Sequence, residues 1–598
     1  MKTFQTAMLD LIYLLFERCK NDLINFDFPQ SFHHLLILID ILNVLNNRTK
    51  HISFPELFIF QLNEIVDNQH KFSRDEIEQT HRYFDLTADF QLIDYINQHL
   101  MTSLPMNIED NSIHFKSYPS LWHIPIHCIQ TRIKFSYALN VFIEKLLSFV
   151  DLSLPIGQSF VTDKFRSSRS YILRTTKLQL FERALAVTAL PSENNILSVN
   201  FDTLQAISTI TTKTMFYQGY EQLHSNAHIL FRRQNERLWR AQYLGMHSTD
   251  AGGPYRDSIT CICGDICSTR LSLFILCPNG RMNDGLNRDR WIPNVFPPNK
   301  SIPMVIKKQY RFIGQLMGMA IRKHFYLDLK FPTFLWKQLV NDEVTLEDIE
   351  AIDIQSFNLI NQLEKTFDSP DQLIDTENDV LSSILEELRF EVVSASGQTF
   401  ELVSGGHDIS ITWQNLNEYC STYRQYRLQE FSRQIEFIRQ GLYSVIPGYF
   451  LCLFTARELE EAVCGKGEID IELLKRNTTY GGNFRLTSGC IQHFWKVLST
   501  KFTEEQKKLF LKFVWGRSTL PSRDEEFISK FVINPYEITN GPIDGALPRA
   551  HTCGFTLDLP EYSSTNVMYD RLNYAITNCS SIDGDGNMNE MPVFSDFN

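Results

Sequence analysis

The chain has 598 residues, 43% of them hydrophobic and 21% charged, and a net charge of −13. At ~150 residues per domain this length corresponds to roughly three to five folded units. The acidic balance argues against nucleic acid as a partner, because phosphate binding needs a basic surface, and no apolar run approaches the ~18 residues that a membrane-spanning helix needs.

Residues 1 to about 110 read as mainly helical. Leu9, Ile12, Leu15 and Phe16 recur at helical spacing, and "FHHLLILIDILNVL" (32–45) suits a buried helix broken by Asp40 and Asn43. Asp10 interrupts the first apolar stretch, so no signal peptide is expected. "SRDEIEQTHRYF" (73–84) opens with a capping-box pattern, Ser73 with Glu76. Residues 121–154 predict one long amphipathic helix ending near Asp151. Its His123 and His127 lie four apart without an acidic residue in zinc-site order, so a structural pair is the better reading. A further helix follows around 170–189.

"ILSVNF" (196–201) and "RLWRAQYLGM" (237–246) alternate like strands. "TDAGGPYRDSI" (249–259) turns into a helix carrying Cys261, Cys263 and Cys267, with Cys277 ten residues later. Their irregular spacing lacks the paired knuckles of a zinc site, so buried reduced thiols are expected and no metal. "YRFIGQLMGMAIRKH" (310–324) is a helix with Gly314 and Gly318 on one face, which permits close helix packing. Residues 340–400 are acidic and helical. "QTFELV" (398–403) and "DISITW" (408–413), around Gly405-Gly406, predict a hairpin. Two helices follow before Gly465, Gly467, Gly481 and Gly482, the expected hinge.

Beyond the glycines, "SGCIQHFWKVLSTKFTEEQKKLFLKFVWG" (488–516) reads as two helices, the second capped by Thr503. "LPRAHTC" (547–553) then precedes the strand "FTLDLP" (555–560) and a helix over 567–579. The acidic, Gly/Asn-rich end is expected to be a tail. "DGDGNMNEMPVF" (583–594) fails as a calcium loop because Met588 and Phe594 replace the required Gly and Glu. The twelve cysteines show no disulfide framework, which fits a reducing, cytoplasmic or nuclear compartment.

Cys553 is the sharpest candidate for chemistry. A cysteine attacks as thiolate, and Arg549 and His551 within four residues supply a modest positive field. Residue chemistry alone leaves it open whether this thiol is a nucleophile or one more cysteine.

"LPRAHTC…LDLPEYSS" closely resembles the active-site signature of HECT-type E3 ubiquitin ligases. "LWRAQYLG", "DAGGPYRD", "YRFIGQLMGMAI", "FLWKQL", "NLNEYCSTYRQYRL", "HFWKVL" and "FLKFVWGRSTLP" match in order, over roughly 400 residues, and the variants "CPNGR…GLNRDRW", "SASGQTFELV" and "FVWGRSTLP" look most like the giant HERC branch. No propeller repeats accompany them, so a short relative and a fragment of a giant chain both fit.

The resemblance implies an α+β fold. A helical region over 1–155 would act as scaffold or docking surface. A HECT N-lobe over 165–466 would carry an E2-binding subdomain at about 340–460, and a C-lobe would cover 467–598. It implies a transferase that accepts ubiquitin from a charged E2 as a thioester on Cys553 and passes it to a lysine of a protein substrate. His551 and Thr552 would support the thioester, Tyr419 would lie in the E2-binding groove, and no cofactor or membrane insertion is involved.

The family's aromatic after the cysteine is here Gly554, followed by Phe555, and Ser595 stands where many members carry a phenylalanine near the terminus. These departures motivate the alternative of a weak or inactive scaffold that binds E2 or ubiquitin. A cysteine hydrolase is the third reading; it explains none of the ordered blocks.

Overall fold

The computed structural model describes residues 80 and 82–578, with breaks at 101–114, 116, 148–149, 159, 209, 245–252, 369–386, 466, 468, 522–523, 525–526, 528, 537, 539–540 and 553. The helices expected before residue 80, the Gly252 side of the "DAGGP" turn and the tail with its calcium-like loop lie outside the described residues. The chain divides into two compact units, Met1–Val187 with Tyr449–Thr455, and Thr188–Gly448 with Ala456–Asn598.

The first unit is helical where described: α1 (Leu86–His99), α2 (Ile126–Leu147), α3 (Phe160–Ser167) and α4 (Arg174–Val187). Asp85 caps α1 by accepting from the Ala88 amide at 2.7 Å. Leu92 and Ile96 of α1 meet Leu121, Ile129 and Ile133 in one core. Pro125 pre-sets the backbone just ahead of α2. The recorded helix is therefore shorter than the 121–154 run predicted, since 119–121 form a separate 3-10 turn.

The second unit opens with β1 (Leu197–Phe201) and β2 (Trp239–Tyr243), which pair in parallel with α5 (Met215–Leu223) in the connection. Along β2, Trp239, Ala241 and Tyr243 are buried between exposed Arg240 and Gln242, the period-2 pattern of a strand with one face in the core. Next come α6 (Gly253–Ile266), the antiparallel pair β3 (Phe274–Leu276) and β4 (Trp291–Pro293), and α7 (Met304–Lys323). Then follow α8 (Thr333–Leu339), α9 (Ile354–Asp368), β5 (Glu391–Val393), β6 (Thr399–Glu401), α10 (Leu416–Gln429), α11 (Ser432–Val445) and α12 (Ala456–Cys464).

The centre of this part is the contact of α7 with α11. A Cβ on Gly314 would collide with the Ile438 carbonyl, and one on Gly441 with the Arg311 carbonyl. The two backbones touch because both sides lack a side chain at the crossing. α9, α10 and the β5–β6 hairpin enclose a separate small core. Beneath it Arg427 is fully buried, with Nη1 2.8 Å from Asp353 Oδ2 and Nε 3.0 Å from Glu430 Oε2.

The hairpin differs from the one predicted. β6 pairs with β5 across a turn at Gly397, φ +82°. Gly405 and Gly406 instead lead into a 3-10 turn, and the 408–413 segment supplies one bridge, Arg389 to Ser410. Ile411 is drawn into the core beside Phe390, so burial of that side chain overrides the alternation of its neighbours.

The last part holds α13 (Ile471–Arg476), β7 (Thr478–Tyr480), α14 (Gly489–Lys496), α15 (Glu504–Trp515), β8 (Phe531–Pro535), β9 (Arg549–His551), β10 (Thr556–Leu559) and α16 (Thr565–Asn578). The sheet order is β7-β8-β10-β9, with β7, β8 and β10 parallel and β9 antiparallel. Phe494, Phe510, Trp515, Phe531, Phe555, Leu557 and Leu572 share its core. Thr503 and Gln506 form a capping box that starts α15, and Gly516 ends it at φ +70°. The fold is α+β, helices with small separate sheets. Among the described residues no helix is long and apolar enough to cross a membrane.

The glycines of α6 and α7 predict opposite responses. Gly264→Ala, where a Cβ meets nothing, is expected to stabilise by about 0.5–1 kcal/mol. Gly314→Ala forces two backbones apart and is expected to cost about 3 kcal/mol or more. Thermal melts followed by circular dichroism check both; a neutral Gly314→Ala would contradict the close crossing.

Candidate active site

The "LPRAHTC" segment forms β9 and the turn into β10. Its approach is fixed by neighbours: Tyr562 Oη donates to the Ala546 carbonyl at 2.8 Å, and Arg571 Nε donates to the Asp544 carbonyl at 2.7 Å. The Arg549 guanidinium lies 4.6 Å from the Tyr536 ring centroid, a cation–π contact that orients this strand. Cys553 itself lies outside the described residues; both of its flanks are described.

On one flank, His551 Nε2 lies 2.9 Å from Asp558 Oδ2. The two sit on paired strands, where Asp558 is opposite Arg549 and Thr556 is opposite His551, a diagonal within side-chain reach. Asp558 is held from its other side, since Asn534 Nδ2 donates to its Oδ1 at 3.2 Å. Asn534 is opposite Asp558 on β8. A carboxylate accepts, so Nε2 carries the hydrogen and Nδ1 of a neutral His551 keeps its lone pair. His551 is exposed.

On the other flank, the Gly554 amide donates to the His551 carbonyl at 3.1 Å, which closes the turn. Gly554 is exposed, whereas Phe555 is fully buried. Its ring stacks on Trp515 at 4.2 Å and 8° and meets Phe531 at 4.8 Å. Phe555 takes φ +49°, a left-handed conformation that a bulky L-residue rarely adopts. Gly554 thus leaves the loop surface bare while Phe555 anchors the loop beneath.

The remaining expected residues fall elsewhere. Tyr419 is 4% exposed; its ring packs edge-on to Phe390 at 5.6 Å, and its hydroxyl donates to the Glu391 carbonyl at 3.3 Å. Burial pushes its phenol pKa up. The ring therefore packs in the small core and supports α10. Gly465 (φ +78°) ends α12 and Gly467 has open space around it. Gly481 and Gly482 lie within the sheet unit instead: a Cβ on Gly481 would strike Asn534 Oδ1, and one on Gly482 would come 2.7 Å from Pro535 Cγ. Gly481 therefore leaves room for the side chain that holds Asp558.

Asn534 and Arg256 are missing from the sequence reading. Arg256 Nη1 on α6 donates to the Thr552 carbonyl at 2.8 Å. No local pattern signals either contact, because each joins segments distant in the chain. Among the described residues no group of three or more His, Cys, Asp or Glu could hold a metal.

The family model for the HECT domain, a ubiquitin-transferase, matches residues 260–583. The chain is 38% identical to the E3 ubiquitin-protein ligase HERC2 of Homo sapiens over 352 residues, 58% of this chain and 7% of that protein. It is 25% identical to the probable E3 ubiquitin-protein ligase HECTD4 of Homo sapiens over 549 residues, 83% of this chain and 13% of that protein. It is 31% identical to the E3 ubiquitin-protein ligase NEDD4 of Homo sapiens over 279 residues, 46% of this chain and 20% of that protein. The matches thus span 7 to 20% of these relatives' own lengths.

The described thiols separate from the candidate. Burial pushes Cys261 and Cys267 up to about 12 and Cys420 and Cys490 up to about 11. Burial also raises Cys263 and Cys464. At pH 8 a thiol of pKa about 12 is only ~1 part in 10⁴ thiolate. Brief iodoacetamide treatment of the native protein at pH 8, read by peptide mass spectrometry, is expected to label Cys553 and spare these six. Faster labelling of Cys261 or Cys267 would contradict the assignment.

Proposed function

Because the chain belongs to the HECT-domain (ubiquitin-transferase) family, we propose that it is an E3 ubiquitin ligase that carries ubiquitin on Cys553 between an E2 and a substrate lysine. The observation that carries this reading is the "LPRAHTC" turn between β9 and β10, with His551 held by Asp558 beside the cysteine position.

The Cys553 thiolate attacks the thioester carbonyl of charged E2, and the tetrahedral oxyanion collapses to expel the E2 thiolate. Thiol–thioester exchange is close to isoenergetic, so ubiquitin stays activated. A lysine amine then attacks the new thioester, gives up a proton and expels the Cys553 thiolate, leaving an isopeptide bond. His551, its Nε2 hydrogen committed to Asp558, has Nδ1 able to take that proton. Neither step needs a cofactor or metal; ATP is consumed upstream by the E1.

In this reading residues 165–466 act as the N-lobe, with the small core of α9, α10 and the β5–β6 hairpin inside the E2-binding subdomain at about 340–460. Residues 467–598 form the C-lobe. The swivel between them is assigned to Gly465 and Gly467, and residues 1–155 to scaffold or docking. None of the described cysteines is paired, which fits a cytoplasmic or nuclear setting. The inactive-scaffold alternative rested on Gly554 and on Ser595 in the tail, which lies outside the described residues; with the aromatic contact below the loop made by Phe555, an active ligase is the preferred reading.

The test mixes the full chain with E1, ATP, labelled ubiquitin and a panel of E2 enzymes. Gels are expected to show a reductant-sensitive adduct that Cys553→Ala abolishes and Cys553→Ser converts to a reductant-resistant one. Its absence across the panel would overturn the reading. Asp558→Asn leaves the fold intact but loses the fixed imidazole, and is expected to slow transfer to lysine by at least ~10-fold. Single-turnover chase of the purified adduct checks this, with an unchanged rate counting against His551.

A further inference from the structure

Helix α6 meets the sheet unit at two points one helical turn apart. Arg256 Nη1 donates to the carbonyl of Thr552, the residue before Cys553, at 2.8 Å. Thr260 Oγ1 donates to the carbonyl of Gly516, the C-cap of α15, at 3.0 Å. A return contact comes from Arg517, which donates from Nη1 to the His324 carbonyl at 3.3 Å and lies 4.4 Å from the Phe325 centroid and 4.7 Å from that of Trp515. Trp515 in turn stacks on Phe555. The two flanks of Cys553 are therefore held by separate devices, Phe555 by an aromatic column that Arg517 continues into the helical part, and Thr552 by Arg256.

Arg517 shows how strongly this junction disfavours positive charge that has no defined acceptor. It is buried, its Nε has no hydrogen-bond partner among the described residues, and the titratable groups acting on it are Arg256, Tyr326 and Tyr255, with no carboxylate among them. Burial, then the nearby charge of Arg256, pulls its pKa down to about 9, so it is still a cation at neutral pH. Holding two guanidinium groups this close is unfavourable unless each has a defined acceptor. The Thr552 carbonyl is such an acceptor for Arg256, and a charge-assisted hydrogen bond is stronger than a neutral one.

We propose that Arg256 is a positioning residue for the ubiquitin acceptor, fixing the peptide that leads into Cys553 whenever α6 and the sheet unit are in contact. The inference rests on the reading of Cys553 as acceptor. Arg256 acts through the Thr552 carbonyl on one side of the cysteine position, while the aromatic column holds Phe555 on the other. Productive thiol geometry is then available in the docked arrangement and lost when the sheet unit swings away. Such a tie acts on the rate of the chemical step; E2 docking is assigned to the small core of α9, α10 and the β5–β6 hairpin, of which Arg256 is no part.

The test uses the full chain with an E2 that charges the wild type. Rates of adduct formation are measured against E2–ubiquitin concentration for wild type, Arg256→Ala and Arg256→Lys, with thermal melts of each. Arg256→Ala is expected to lower the saturating rate by ~10-fold or more at an unchanged half-saturating concentration. Arg256→Lys, which keeps the charge and one donor, is expected to recover part of the loss, and all three melts should agree. A wild-type saturating rate in Arg256→Ala overturns the proposal and leaves the ligase reading standing. A loss that appears only in half-saturation, or that follows a lowered melting temperature without rescue by lysine, also overturns it. A wild type that forms no adduct with any E2 overturns both.

Discussion

The stack of Phe555 on Trp515 is the interaction on which the candidate site depends. A phenylalanine at φ +49° carries a backbone cost of about 1–2 kcal/mol. Full burial of the ring stabilises by about 1.5–3 kcal/mol, and an aromatic pair adds about 0.5–1.5 kcal/mol. The ring therefore wins, and the turn is pulled into a shape its own backbone would not choose. From that anchor follow the register of β10 with β9, the diagonal between Asp558 and His551, and the place at which the Thr552 carbonyl meets Arg256.

Much of this was legible in the chain because it is local. The Thr503 cap, the alternation through Trp239, Ala241 and Tyr243, and the small-residue face at Gly314 depend on residues within a few positions of one another, and the structure carries each. The strand that follows the loop was likewise legible and is β10, whereas β9, formed by Arg549–His551, carries no local strand signal. The elements that went wrong depend on distant partners. The 408–413 segment alternates like a strand, yet Ile411 is needed in a core with Phe390 and Tyr419. The helical position of Tyr419 likewise does not say which side of α10 faces the core.

The glycines illustrate the limit most clearly. Four of them looked alike as flexible links, but only Gly467 has open space at its Cβ position, and Gly481 and Gly482 are filled by Asn534 and Pro535. Absence of a side chain serves freedom in one case and close approach in the other, and sequence alone does not separate them. Asn534 and Arg256 were invisible for a related reason: one reaches across a sheet and the other from a helix nearly 300 positions upstream.

The strand order has a further consequence for how the molecule is made. β10 lies between β8 and β9, so it supplies the ladder for both, although it is the last of the four to be synthesised. A nascent chain that has emerged through Cys553 contains the proposed acceptor but not the strand that follows its turn, the Phe555 ring that anchors it, or the Asp558 carboxylate beside His551. The reactive centre is therefore organised only after translation passes Leu559, and ribosomes that stall earlier release a thiol without a site.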